Sequence, residues 1–145
     1  MVGKRLQPSR LVVPPDEEST IEYFYDVPGS MPGTLNIEPN APPPVIVLID
    51  YNEQTAIRLQ VETPEECTEH LDTESVSWVD VKGLGNEDIL KRLGAVFMLH
   101  PLVLEDIVNV PQRPKVEEYD DQLLIIARMV MLRRSSRSFL TEQVS

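Results

Sequence analysis

Cysteine is all but missing: the 145 residues hold one, Cys67. A lone thiol excludes an internal disulfide and any zinc cage built on several thiolates, and it fits a reducing compartment. Its acidic neighbours Glu65, Glu66 and Glu69 are expected to raise its pKa and keep it unreactive. Long apolar runs are also missing. Runs such as residues 45–49 and 123–127 have strand length, against the ~20 residues a membrane-crossing helix requires. Lys4 and Arg5 make the start basic, but no apolar segment follows, so no secretory signal is expected. The polypeptide as it stands is expected to be soluble. Positive charge is scarce, with 13 Lys and Arg against 24 Asp and Glu, a net charge of −11 and a pI near 4.5. Such a chain is repelled by nucleic acid and by anionic lipid, which are held through clustered Lys and Arg. An acidic surface suits divalent cations and serves solubility equally well. There is no Gly-rich phosphate loop, and no internal repeat.

Proline is plentiful but uneven. Nine of the 13 precede Val45, among them Pro14-Pro15 and Pro42-Pro43-Pro44. Proline fixes φ and supplies no N–H, so residues 1–44 read as a largely irregular, proline-rich arm. Within it, residues 21–27 (Ile-Glu-Tyr-Phe-Tyr-Asp-Val) have the pattern of a short strand or of an aromatic anchor for the core. Pro28-Gly29 and Pro32-Gly33 mark turns. The folding unit is then residues 45–145, near the small end of the domain range.

In that unit, residues 45–50 form an apolar run fit for a buried strand. Residues 55–62 alternate, which predicts a hairpin turning at Asn52-Glu53. Thr63-Pro64-Glu65-Glu66 opens a short helix with a cap, a proline at the first position and acids in the first turn. Residues 76–81 alternate as a strand, with Trp78 expected in the core. Asn86 caps a helix with Ile89, Leu90, Leu93, Val96 and Phe97 at helical spacing, weakened by Gly94. His100-Pro101 opens another that ends near Asn109, ahead of Pro111. Residues 115–119 and 123–131 read as strands about the turn Asp120-Asp121. The second is apolar on both faces except at Arg128, which predicts a central place in the sheet. A last strand begins near Ser138. The order predicts an α/β or α+β fold, a mixed sheet with helices packed on it.

Four stretches, taken in order, carry a resemblance. They are Trp-Val-Asp-Val at 78–81, His-Pro-Leu-Val-Leu-Glu-Asp-Ile at 100–107, Gln-Arg-Pro-Lys-Val-Glu at 112–117 and Glu-Gln-Val-Ser at 142–145, preceded by Pro-Gly-Thr-Leu at 32–35. The set resembles the N-terminal cytoplasmic domain of CorA-type magnesium/cobalt channels over about two thirds of the chain. The resemblance implies an α/β/α sandwich within a homopentamer at the cytoplasmic face of the membrane. Mg2+ bound between subunits would hold the channel closed, with Co2+ as a further transported ion. It implies Glu105 and Asp106 as the metal-ligating pair. It also implies that the family's partner helix, its membrane helices, its Gly-Met-Asn pore signature and the last strands of its sheet are missing from this chain. Conduction is therefore not expected of this polypeptide, nor is catalysis.

Magnesium takes oxygen ligands in near-octahedral geometry at roughly 2.0–2.1 Å and keeps several waters, so one or two carboxylates suffice. Successive helix positions point about 100° apart. Glu105 and Asp106 therefore cannot chelate one ion from one face, and each is expected to reach a different contact on a neighbouring chain. The other polar groups have plainer roles. His70 and His100 lie thirty residues apart, and His100 suits capping or packing at a helix start. Asp120 and Asp121 suit a turn. Arg128, Arg133, Arg134 and Arg137 suit a solvated strand end. Two other functions compete: a small acidic metal-dependent hydrolase, which lacks a nucleophile–base pair, and a plain oligomerisation module.

Overall fold

The computed structural model describes residues 31–71, 74–132 and 139–145. The aromatic stretch at 21–27, the arginines at 133, 134 and 137 and the start of the last strand at Ser138 lie outside them. The molecule is α/β. Its strands are β1 (Val45–Tyr51), β2 (Ala56–Val61), β3 (Val76–Lys82), β4 (Lys115–Tyr119), β5 (Gln122–Leu132) and β6 (Phe139–Val144). Its helices are a 3₁₀ helix (Pro64–His70), α1 (Glu87–Val96) and α2 (Pro101–Val108).

Among the described residues the strands form two three-stranded antiparallel sheets, ordered β2-β1-β3 and β4-β5-β6. The sequence reading expected the strands in one mixed sheet. Instead α1 and α2 fall between β3 and β4 in the chain, the strands before them and the strands after them form separate sheets, and every pairing is antiparallel. β5 is central in its sheet, as its apolar character on both faces predicts.

Local chemistry sets the helix ends. The Asn86 side chain accepts from the Ile89 N–H (3.1 Å) and caps α1. Glu66 Oε1 accepts from the Thr63 N–H (2.8 Å), the reciprocal half of a capping box, although the turn it opens is 3₁₀ rather than α. His100 Nδ1 accepts from the Leu102 N–H (3.2 Å), so the histidine before Pro101 caps α2 as expected.

The main core joins Ile46 and Leu48 of β1, Val61 of β2, Cys67, Leu90 and Leu93 of α1, and Val108 of α2. Leu35, from the proline-rich arm, is buried in the same cluster and Ile37 packs against it, so the core draws on the arm as well as on the residues from Val45 onward. A smaller cluster joins Val103 of α2 to Leu124 and Ile126 of β5. Helix α2 thus has two apolar sides. At 100° per residue, Val103 and Ile107 face the second sheet, while Leu104 and Val108 face the first core.

Trp78 is a correction: it is 64 % exposed rather than core. Its cross-strand partner is Ile49, whereas the core side of β1 is set by Ile46 and Leu48, so Trp78 stands on the opposite face. Alternation places residues on two faces without saying which face is covered. No helix among the described residues is long and apolar enough to cross a membrane.

Candidate functional site

The site is built on the polar arc of α2. Its apolar arc runs from Val103 through Ile107 and Leu104 to Val108, and Glu105 and Asp106 flank that arc at opposite ends. Each carboxylate is therefore partly buried and meets a different partner. Glu105 Oε2 accepts from the Gly33 N–H (2.5 Å), fastening the turn that leads into the buried Leu35. Gly33 has φ of +83°, which glycine adopts without cost, and a side chain there would press on Pro101 at 3.2 Å.

Asp106 lies at the end of the arc nearest the second sheet. Its Oδ1 accepts from Gln112 Nε2 (2.7 Å), and its Oδ2 meets Lys115 Nζ at 2.8 Å. The same Nζ is 2.9 Å from Glu117 Oε2, which also accepts from Tyr119 Oη (3.1 Å). Asp106 and Lys115 are 19 % and 27 % exposed. Burial works to lower the Lys115 pKa, but hydrogen bonds to Asp106 and Glu117 and their negative charges outweigh it and hold the ammonium above its ordinary value. Burial, followed by the hydrogen bond to Glu117, raises the Tyr119 phenol.

The surroundings keep this group in place. The Gln112 N–H donates to Gln143 Oε1 of β6 (2.6 Å), and Arg128 donates to the Gln112 carbonyl (3.3 Å). His100 stacks on Tyr119 with ring centroids 5.1 Å apart. The blocks at 100–107 and 112–117, separate in sequence, therefore meet in space around Asp106. Sequence reasoning picked Glu105 and Asp106 but missed Lys115, Gln112 and Glu117 beside them. The alternation of Lys115, Glu117 and Tyr119 along one strand face was the available signal.

The structure sends Glu105 and Asp106 to separate partners, as their helical spacing requires, and both partners lie within the same chain. Their oxygens are hard donors of the kind Mg2+ accepts. Among the described residues no three His, Cys, Asp or Glu side chains gather closely enough to hold a metal ion. Elsewhere the chemistry is structural. Cys67 is fully buried, and burial first, with the Glu66 charge second, raises its thiol pKa; the expected direction holds, with a different leading cause. The Glu65 carboxyl is lowered chiefly by its hydrogen bonds from Arg92, which also salt-bridges Asp88 at 3.5 Å. Asp120 and Asp121 form the β4–β5 turn, with Asp120 at φ of +50°.

Over 100 residues, 69 % of this chain, the sequence is 34 % identical to the cobalt/magnesium transport protein CorA of Thermotoga maritima. The chain is a CorA-like relative over that stretch, and the matched stretch covers 28 % of the relative's length. No protein-family model matches the chain.

Proposed function

We propose that the chain is the cytoplasmic, ion-sensing part of a magnesium/cobalt channel, regulating uptake through Mg2+ held between subunits of a homopentamer. The observation that supports this most is the meeting of the two resemblance blocks at Asp106, together with the 100-residue similarity to a cobalt/magnesium transport protein. Asp106 and Glu105 supply oxygens on one subunit, and a neighbouring copy completes the coordination. The bound ion offsets repulsion between copies that each carry −11, and so favours the closed assembly. A ligand moves a two-state equilibrium only by its difference in affinity, so several weak sites around a ring add up to a gate. Nothing in this role is catalytic.

Sedimentation velocity with and without Mg2+ tests the reading. Association promoted by Mg2+ and lost in Asp106→Asn supports it. Association indifferent to the ion favours an assembly module instead. That second reading has its own observation: the outer face of the second sheet is apolar, with Val116, Leu123, Ile125 and Met129 exposed together.

A further inference from the structure

Outside the carboxylates themselves, the group that most directly controls Asp106 is a cation from the same chain. Lys115 Nζ lies 2.8 Å from Asp106 Oδ2 and 2.9 Å from Glu117 Oε2, so one ammonium fills the point that both carboxylates share. Gln112 holds the other Asp106 oxygen at 2.7 Å, leaving Oδ2 as the oxygen open to competition. The competitor is not a loose surface chain. Lys115 is the first residue of β4, paired with Ile126 of the central strand, and Gln112 is tied to Gln143 of β6.

We propose that Lys115 is a built-in competitor for the Asp106 carboxylate, so that a divalent cation gains Asp106 only by displacing the Lys115 ammonium. The inference rests on the reading of Asp106 as a cation ligand and names what regulates it. Displacement leaves the ammonium its second partner, because Glu117 stays within reach and is steadied by Tyr119 Oη at 3.1 Å. The exchange therefore trades one ion pair rather than stranding a half-buried charge, which would cost far more. A monovalent ion gains nothing over an ammonium already in place, whereas a doubly charged ion does. The lysine thus weakens the site and selects for divalent charge.

Thermal stability of the whole chain against MgCl2, at fixed ionic strength, tests this with Mg2+ as the only probe. Lys115→Met is expected to lower the half-saturating Mg2+ concentration on the order of fivefold, from the loss of one partly buried ion pair. Lys115→Arg, which keeps the charge, should stay near the wild type. Asp106→Asn should remove the response whichever residue stands at 115. If Asp106→Asn removes the response but Lys115→Met leaves the half-saturating concentration unchanged or raises it, the competitor is overturned and the cation reading survives. If Asp106→Asn responds like the wild type, the cation reading itself fails. A chain that responds in neither form overturns both. Should Lys115→Met fail to fold, NMR of the ¹⁵N-lysine-labelled wild type decides. The Lys115 ammonium signal, identified by its absence in Lys115→Arg, should shift as Mg2+ is added. An unmoved signal at saturating Mg2+ overturns the proposal.

Discussion

A Cβ built on Gly94 of α1 would stand 2.5 Å from Leu104 Cδ1 of α2, so the two helices touch at a point where only hydrogen fits without movement. That contact is one of the places where α1 meets α2. Gly94→Val should lower stability by about 1–3 kcal/mol through overpacking. The cost should shrink in a Leu104→Ala background, where the clashing methyl is gone. Urea unfolding of the two single variants and the double variant measures the coupling. Strict additivity would mean that the helices do not meet there.

The core should be most sensitive at Leu48, which is fully buried on the central strand of the first sheet. Leu48→Ala should cost about 2–5 kcal/mol. Asn86→Ala, which removes the α1 cap, should cost about 0.5–2 kcal/mol. Equilibrium denaturation of each variant checks both, and the reverse ranking would misplace the core.

Much of the fold was legible because hydrophobic period and capping chemistry are local. Asn86, Thr63-Pro64 and His100-Pro101 each mark a helix start within a residue or so of where it occurs, and the strand at 115–119 is found as expected. What failed to show was set by distant partners. Trp78 reads as core because its strand alternates, yet its exposure depends on which face of β1 the helices cover. Gly94 reads as a flaw in a helix, and its value appears only once Leu104 lies against it. The candidate carboxylates were visible as neighbours on a helix. Their real partners lie at Gly33, 72 residues from Glu105, and at Lys115, across the turn from α2 into β4. No periodicity reports such pairings.

Acid should find the link between the 3₁₀ helix and α1. The Arg92 guanidinium holds the Glu65 carboxyl below its ordinary value of 4.5. A depressed carboxyl stabilises the fold above that value, and the contribution is lost as pH falls through the lowered one. Arg92→Gln should therefore flatten the fall in thermal midpoint below about pH 4.5. The effect should be small, because the pair is solvated. Identical acid profiles for variant and wild type would remove Arg92 as the cause.

Thiol chemistry should report unfolding rather than surface reactivity. Cys67 is fully buried and its thiol lies above the ordinary value of 9.0, so a disulfide reagent should react slowly with the native chain and fast in denaturant. Fast native labelling at neutral pH would contradict the placement of Cys67 in the core.

The central claim is that Asp106 carries the response to divalent cations, and Mg2+ binding by calorimetry on the wild type and Asp106→Asn tests it most directly. The account predicts weak binding by the wild type that disappears in the variant, with the fold intact by circular dichroism. Tight binding that survives in Asp106→Asn would place the ion elsewhere and contradict the account.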